Sequence, residues 1–418
     1  FKMSEIIVNG GKPLCGEINV QGAKNSVLPI LSATVLCKGV SVIHNCPELS
    51  DVYAALDILK ALGCKCSFEN STVTVDASLI TDNSIPENLM REMRSSVVFL
   101  GAIIGRTGSA VISNPGGCEL GPRPIDLHLF ALRKLGVCIE EKHGDLLCSS
   151  SALKGTDIYL SFPSVGATEN VMLCASRCEG TTVLRNAAHE PEIVDLADFL
   201  NSSGADIKGA GTDTVVIKGV SELKGTEHTV IPDRIAACTY LTAAAVTKGN
   251  VTVKNVVPEH ISSVISVFEQ CGCNIRRYAN EVNLTAPLRL KHVPSVMSHV
   301  YPGFPTDSGP LCVAMLSLAD GVSVFTETIF ENRFKYIDEL KRLGADIKVT
   351  GKTAVIRGVD TLWGASCVAT DLRAGAALVL AGLAAKGETR IKNTCYIKRG
   401  YENIVRDLAL IGADIYEE

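Results

Sequence analysis

The sequence predicts an α/β protein of two lobes, built from six copies of one α/β unit, three to a lobe. The first observation is a glycine that recurs at spacings of 73, 68, 68, 72 and 68 residues: Gly63, Gly136, Gly204, Gly272, Gly344 and Gly412. The second is a glycine that precedes each of these by 24, 28, 24, 23, 23 and 25 residues: Gly39, Gly108, Gly180, Gly249, Gly321 and Gly387.

The third observation is that the segments around these glycines follow the same order. Each unit starts with an apolar helix, as at residues 235–247 and 372–385, which ends at a glycine typical of helix C-termini. A short β-rich run follows, as at 40–43, and then an amphipathic helix, as at 193–200. A hairpin such as 345–356 completes the unit. A fixed period of this kind indicates duplicated supersecondary units.

The lobes are predicted to be discontinuous in sequence. A strand at residues 17–20 precedes the first full helix, so the N-terminal segment should complete the C-terminal lobe. The predicted lobes are residues 1–22 with 232–418, and residues 23–231, joined by two crossings near Gly22 and Pro232.

Composition favours a cytoplasmic enzyme. The net charge of −5 argues against binding to nucleic acid, and the longest uncharged apolar run, residues 374–385, is too short to cross a bilayer. No signal peptide is expected. Most of the 16 cysteines lie in apolar segments, which is typical of reduced, core-filling thiols. The Cys-x-Cys pairs at 64–66 and 271–273 should alternate on strands, and without a matching His/Cys pair they are weak zinc candidates.

Cys118 lies in a loop, residues 114–124, that is rich in glycine and proline. This loop belongs to the second unit, whose gap of 28 residues between the two glycines is the longest of the six. Arg123 would favour the thiolate, so we interpret Cys118 as a reactive thiol. The alternative is an incidental thiol on a surface loop.

Three predicted apolar helices start near a basic residue, Lys24, Arg94 or Arg373, and the apolar helix of the third unit is predicted to start near Thr168. A cation at a helix N-terminus opposes the helix dipole, but the arrangement is favourable when an anion binds there. We therefore expect a cleft between the lobes in which helix N-termini face an anionic ligand. Motifs for nucleotide hydrolysis, dinucleotide binding and zinc proteases are incomplete; Gly351-Lys352-Thr353, for example, lies in a predicted hairpin.

The chain resembles the enolpyruvyl transferases over essentially its whole length from Met3. The resemblance rests on nine motifs: Gly22–Asn25, Met93–Ser96, Pro115–Cys118, Arg123–His128, Ser164–Thr168, Phe304–Asp307, Phe330–Phe334, Thr370–Arg373 and Arg399–Glu402. It implies that each lobe is an inside-out α/β barrel, with three repeats around buried helices.

The motifs resemble those of the branch that transfers the enolpyruvyl group of phosphoenolpyruvate to the 3′-hydroxyl of UDP-N-acetylglucosamine and releases phosphate, the first committed step of peptidoglycan precursor synthesis. Such an addition and elimination needs an acid, a base and cations. We expect no cofactor and no metal ion, and the oligomeric state stays open. The alternatives are a shikimate-pathway enolpyruvyl transferase and an inactive UDP-sugar-binding paralogue.

The resemblance also implies roles for single residues. Cys118 would be the acid and Asp307 the base, with Lys24 and Arg399 also catalytic. The cations for phosphoenolpyruvate would be Lys24, Arg94, Arg123 and Arg399, and the same cleft would be lined by Asn25, Arg333, Asp371 and Arg373. The UDP-sugar would contact Arg123, Pro124, Ile125, Asp126, Leu127, Ser164, Val165, Gly166 and Ile329.

Three of these assignments have structural alternatives. Asp307 could be only a helix cap, Arg333 a surface partner of Glu331, and Asp371 a cap paired with Arg373. The chain also has Phe162 and Ser50 where some family members have lysine, so any lysine contact at those positions is lost.

We predict that Cys118 reacts selectively among the 16 cysteines. The resemblance implies that the epoxide fosfomycin alkylates this thiol, and faster when UDP-N-acetylglucosamine is present. Cys118→Ser should lose most turnover, because a hydroxyl is a weaker acid than a thiol, whereas Cys118→Asp should keep turnover and resist the epoxide. Peptide mapping by mass spectrometry checks the site. An adduct mainly on another cysteine, or a fully active serine variant, would remove Cys118 from the mechanism.

Overall fold

The structure is a computed structural model that describes residues 4–113 and 125–418. The described chain forms two compact units. The terminal unit contains residues 4–21 and 232–418, and the central unit contains residues 22–113 and 125–231.

The helices of the described residues are α1 Lys24–Thr34, α2 Ser50–Ala61, α3 Glu87–Glu92, α4 Phe99–Thr107, α5 Asp126–Lys134, α6 Val165–Ala175, α7 Pro191–Ser202, α8 Arg234–Val246, α9 Ser262–Gln270, α10 Gly309–Leu316, α11 Ile337–Arg342, α12 Leu372–Ala384 and α13 Ile404–Leu410. Short 3-10 turns are found at Arg94–Val98, Pro258–Ile261, Thr306–Ser308 and Thr394–Arg399.

The strands up to the end of the central unit are β1 Ile6–Asn9, β2 Cys15–Asn19, β3 Cys37–Lys38, β4 Val40–His44, β5 Lys65–Glu69, β6 Thr72–Asp76, β7 Ser84–Ile85, β8 Ser109–Ser113, β9 Cys138–Lys142, β10 Asp145–Ser149, β11 Asp157–Tyr159, β12 Thr181–Arg185, β13 Asp206–Lys208, β14 Thr214–Lys218, β15 Leu223–Lys224 and β16 Glu227–Thr229. The remaining strands are β17 Asn250–Lys254, β18 Asn274–Arg277, β19 Glu281–Thr285, β20 Val296–Met297, β21 Val322–Thr326, β22 Asp346–Thr350, β23 Thr353–Arg357, β24 Ser366–Val368, β25 Glu388–Lys392 and β26 Asp414–Glu417.

Each repeat has its own four-stranded sheet, giving six such sheets in the described part of the chain. Within the first five repeats, the first strand and the two strands of the hairpin are antiparallel, as β8, β10 and β9 are, and in the sixth β1 takes the place of one hairpin strand. The fourth strand is parallel and comes from the end of another repeat, as β7 does for β8. Parallel neighbours require a long crossover, and here the apolar helix of the repeat provides it.

The borrowed strands close each unit on itself. In the central unit, β16 from the third repeat pairs in parallel with β4 of the first. In the terminal unit, β1 lies between β25 and β26, with Val8 opposite both Thr389 and Ile415. The next strand, β2, pairs in parallel with β17. The N-terminal strands are therefore integral parts of two sheets of the terminal unit.

The apolar helices form the core, and the sheets lie outside them. Every residue of α10 and all but the first of α8 are buried, whereas peripheral helices such as α9 are buried on one face only. Close packing needs glycine where α4 meets α6, because a Cβ atom on Gly101 would lie 2.4 Å from the carbonyl oxygen of Asn170. The inside-out α/β architecture of six repeats is confirmed. None of the described helices has the length and apolarity needed to span a membrane.

The glycines that define the period share one backbone conformation. All six glycines that end the amphipathic helices have φ between 87° and 105°, the left-handed region: Gly63, Gly136, Gly204, Gly272, Gly344 and Gly412. In the preceding set Gly249 is an exception, because Lys248 takes the left-handed conformation with φ of 57°. A Cβ atom on Gly249 would lie 2.2 Å from the carbonyl oxygen of Leu14, so close packing explains this glycine.

Two local predictions were wrong. The Cys-x-Cys pairs do not alternate on strands, since Cys64, Cys271 and Cys273 lie outside strands and are buried. The third apolar helix, predicted to start near Thr168, begins one turn earlier at Val165 because Ser164 caps it.

Because β1 lies between β25 and β26, we predict that a loss of side-chain packing at β1 destabilises the terminal unit. Val8 is completely buried, so Val8→Ala should lower the free energy of unfolding by about 1–3 kcal/mol. Val355→Ala is the matched control, because Val355 is also a strand valine but is 40% exposed, and it should change stability by about 0.5 kcal/mol or less. Urea denaturation measures both, and hydrogen exchange should rise in β25 and β26 for Val8→Ala. Equal effects of the two variants would contradict the prediction.

Candidate active site

Asp307 lies between two buried arginines in the terminal unit. It sits in the 3-10 turn that precedes α10, and its side chain is 29% exposed. Oδ1 accepts a hydrogen bond from Nη2 of Arg333 at 3.1 Å, and Oδ2 accepts one from Nε of Arg373 at 3.3 Å. The alternative that Arg333 is a surface partner of Glu331 is therefore wrong, because its side chain is only 3% exposed.

The guanidinium of Arg373 has a second anchor. Its Nη1 donates to the hydroxyl of Tyr401 at 3.2 Å, and that hydroxyl lies 2.7 Å from Oγ1 of Thr239. Burial by itself would lower the pKa of Arg373, but Tyr401, Asp307 and Asp233 raise it above the usual value. Arg373 is thus a permanent positive charge with a fixed orientation.

Asp371 and Arg399 occupy a helix start and a turn end in the same unit. Oδ1 of Asp371 accepts from the backbone N–H groups of Arg373 at 2.9 Å and Ala374 at 3.0 Å, so Asp371 caps α12. Arg399 is the last residue of the 3-10 turn that starts at Thr394 and is half-buried. Gln21 holds the following turn, since its side-chain amide donates to Gly400 O at 3.2 Å and accepts from Glu402 N at 2.9 Å.

Glu327 organises the loop that carries Ile329. This carboxylate is buried and accepts hydrogen bonds from the hydroxyls of Ser298 and Thr306, both at 2.8 Å. It also accepts from the backbone N–H groups of Ile329 at 2.7 Å and Phe330 at 3.2 Å. One side chain therefore fixes both the Ile329 loop and the turn of Asp307.

In the central unit, Lys24 has a buried carboxylate partner. Lys24 is the first residue of α1, and its Nζ lies 2.7 Å from Oδ2 of Asp51, in the first turn of α2. The ion pair explains how a cation is tolerated at this helix start. Asn25 is exposed beside it, and so is Ser50.

Two further groups of predicted residues lie at helix starts of the central unit. Ile125, Asp126 and Leu127 lie at the start of α5, and Ser164, Val165 and Gly166 at the start of α6. The two starts are adjacent, because a Cβ atom on Gly166 would lie 2.8 Å from Cε1 of His128. The exposed ring of Phe162 lies three residues before the start of α6.

His128 and Asn170 lock these helices together. Nδ2 of Asn170 lies 2.8 Å from Nδ1 of His128 and also donates to Val97 O at 3.1 Å, while Oδ1 accepts from Gly101 N at 2.6 Å. Burial lowers the pKa of His128 to about 4, with a small opposing effect of Asp126. The ring is therefore neutral at pH 7, so Nδ1 can accept the hydrogen bond from Asn170.

Four predicted positions lack a described side chain. Cys118, Arg123 and Pro124 lie outside the described residues. The backbone of Arg94 begins the 3-10 turn Arg94–Val98, but its side chain is also outside the described part.

Sequence reasoning missed Asp51, Asn170, Glu327 and the roles of Thr239 and Tyr401. Tyr401 lies two residues after Arg399 in the motif Arg399–Glu402, and this proximity was the only sequence signal for it.

The chain is similar to one protein-family model, to named proteins and to solved structures. The protein-family model described as EPSP synthase (3-phosphoshikimate 1-carboxyvinyltransferase) matches residues 8–408. UDP-N-acetylglucosamine 1-carboxyvinyltransferase 2 of Caldanaerobacter subterraneus subsp. tengcongensis is 54% identical over 99% of both chains. UDP-N-acetylglucosamine 1-carboxyvinyltransferase 1 of the same organism is 47% identical, and the match covers 99% of this chain and 100% of that protein. Among solved structures, the enolpyruvyl transferase NikO from Streptomyces tendae has a TM-score of 0.89, 26% identity and 99% coverage of each chain.

The burial of His128 predicts a pH dependence of stability. Because its pKa falls from about 6.5 in the unfolded chain to about 4 in the folded one, the unfolded chain binds the extra proton between these values. Stability should thus be complete above pH 6.5 and decline as the pH falls to 4. The decline attributable to His128 between pH 7.5 and 5 should be about 2 kcal/mol.

Urea denaturation of the wild type and His128→Gln at both pH values measures this contribution. Gln can still accept a hydrogen bond from Asn170 but does not titrate. The control is His143→Asn, since His143 is exposed at a hairpin turn with φ of 55° that Asn also tolerates. Identical pH dependence of the wild type and His128→Gln would refute the prediction, as would titration of His128 near pH 6.5 by NMR.

Proposed function

The chain belongs to the EPSP synthase family of enolpyruvyl transferases, and we propose that it transfers the enolpyruvyl group of phosphoenolpyruvate to the 3′-hydroxyl of UDP-N-acetylglucosamine, releasing phosphate. The observation that carries the proposal is that relatives sharing about half of its residues over nearly the whole chain are named for the UDP-sugar reaction. In this proposal the protein works in the cytoplasm at the first committed step of peptidoglycan precursor synthesis, supports cell shape and division, and is a target of fosfomycin.

The reaction requires a new C–O bond at C2 of phosphoenolpyruvate, a proton on C3, and then loss of phosphate and of a proton from C3. Asp307 is proposed as the base that accepts the proton of the 3′-hydroxyl. Its carboxylate is partly exposed, and both of its oxygens have fixed partners in Arg333 and Arg373. Fixed partners hold a base in one geometry and so reduce the reorganisation needed at reaction.

The charges of this cluster suit an anionic substrate. Two guanidinium groups share one carboxylate, so Asp307, Arg333 and Arg373 together carry a net positive charge. We propose that this charge, with Arg399, attracts the phosphate and carboxylate of phosphoenolpyruvate. Arginine is suited to this role because it stays charged when buried and can bind such groups through two nitrogens.

Lys24 would act as a shared donor. Its ammonium already pairs with Asp51, so the pair is neutral overall. An ammonium has three donors, however, so it can bind a substrate anion while keeping Asp51. We propose that Asn25, Arg94 and Arg123 complete the contacts to phosphoenolpyruvate and that Cys118 supplies the proton to C3.

The UDP-sugar contacts are proposed at the adjacent starts of α5 and α6, at the Arg123–Pro124 segment before α5, and at Ile329. The exposed ring of Phe162 next to α6 could provide a stacking surface for uracil in place of a lysine contact. Asp371 would act mainly through its cap, which fixes the first turn of α12 and therefore Arg373.

Phosphate release from phosphoenolpyruvate tests the proposal. We expect release with UDP-N-acetylglucosamine and none with shikimate 3-phosphate. Release with shikimate 3-phosphate alone would instead support the shikimate branch, and release with neither would support an inactive paralogue.

The same assay tests the role of Asp307. Asp307→Asn should lower kcat about 10²- to 10⁴-fold, because the amide cannot accept the proton. Asp360→Asn is the control, since Asp360 is an exposed aspartate paired with Arg289. A fully active Asp307→Asn variant would exclude Asp307 as the base.

A further inference from the structure

A directed chain of hydrogen bonds runs from Arg373 into the core of the terminal unit. Arg373 Nη1 can only donate, so it donates to the oxygen of Tyr401 at 3.2 Å. The hydroxyl of Thr239 donates to Ile235 O at 2.9 Å, which leaves its oxygen to accept from Tyr401 at 2.7 Å. The donor and the acceptor of each of these three hydrogen bonds are therefore fixed.

The chain joins three separate elements. Thr239 lies in the middle of α8, and Arg373 lies in the first turn of α12. Tyr401 lies between the 3-10 turn that ends at Arg399 and the start of α13. Tyr401 and Thr239 are both buried in the core of the terminal unit.

This arrangement leaves one nitrogen of Arg373 for a ligand. Nε is held by Asp307 and Nη1 by Tyr401. Nη2 makes no hydrogen bond to any of the described residues. A planar guanidinium held at two nitrogens cannot rotate, so the direction of the third is also fixed.

We propose that Tyr401, supported by Thr239, is a positioning residue for the reaction: its hydroxyl holds Arg373 so that Nε stays on Asp307 while Nη2 faces the anionic substrate. This inference rests on the proposed function. It goes beyond that function by giving Tyr401 and Thr239, which contact no substrate in the proposal, a defined part in it.

Tyr401→Phe removes only the hydroxyl and should lower kcat about 10- to 100-fold, because a small misplacement of a binding group is enough for such a loss. Tyr240→Phe is the matched control. Tyr240 is the next residue after Thr239, is equally buried, and donates to Oδ2 of Asp407 at 2.7 Å. It should lose at least as much stability in urea denaturation but less than about 3-fold in kcat.

A second pair of variants covers the case in which Tyr401→Phe folds poorly. Thr239→Val keeps the shape but removes the oxygen that accepts from Tyr401, and it should lower kcat, whereas Thr239→Ser keeps the hydroxyl and should retain kcat. Tyr401→Phe should also have little further effect in an Arg373→Lys background, because the side chain through which it acts is gone.

The outcomes separate this inference from the proposed function. Wild-type protein that releases no phosphate with UDP-N-acetylglucosamine would overturn both. An active wild type overturns only the role of Tyr401 if kcat falls equally in Tyr401→Phe and Tyr240→Phe. The role of Tyr401 is also overturned if the effects of Tyr401→Phe and Arg373→Lys on kcat are fully independent. It is overturned as well if Thr239→Val and Thr239→Ser have equal kcat. Loss in Tyr401→Phe and Thr239→Val, with activity kept in Tyr240→Phe and Thr239→Ser, supports it.

Discussion

The structure depends on one constraint: the sheet of each repeat is incomplete without a parallel strand from another repeat. A repeat cannot cover its apolar helix alone, so three repeats must close into a unit before any of them is stable. In the terminal unit the closing strands are β1 and β2, which lie at the opposite end of the chain from β25 and β26. The central unit is therefore inserted between two parts of one folded body. This insertion explains why the strands of the terminal unit are split between the residues up to Gln21 and those that follow Pro232.

The same constraint places the charged side chains of the candidate site near the starts of helices. Helices such as α8 and α10 are buried along their length, so charged side chains fit only near their ends, where backbone N–H groups also need partners. A charge at these positions must be paired, because an isolated buried ion is strongly unfavourable. The structure meets this requirement with short contacts: Lys24 with Asp51, and Arg333 with Asp307. Candidate catalytic groups and structural pairs are consequently the same residues.

Much of the fold could be predicted from sequence because it follows from local signals that repeat. The left-handed glycines recur at helix ends, and the alternation of apolar and amphipathic segments fixes which helices are buried. The partners within the site could not be predicted, because they depend on contacts between distant positions: Thr239 and Tyr401 are 162 residues apart. The smaller errors arose at residues whose type suits more than one structural role. The start of α6 was misplaced because Ser164 is itself a good cap, and Gly249 was misread because its lack of a Cβ serves packing rather than backbone conformation.

The cluster around Asp307 also limits how the proposed reaction can proceed. Both oxygens of the Asp307 carboxylate are already paired with guanidinium groups, and a carboxylate is a weak base for a sugar hydroxyl. A free aspartate has a pKa of about 3.9, and a sugar hydroxyl is a far weaker acid. Proton transfer to Asp307 is favourable only as the hydroxyl oxygen bonds to C2 and its proton becomes acidic. In the proposed mechanism, Arg333 and Arg373 hold this carboxylate in place while their positive charge attracts the phosphate of the substrate. In the proposed mechanism Asp307 therefore orients the hydroxyl first and accepts its proton as the C–O bond forms.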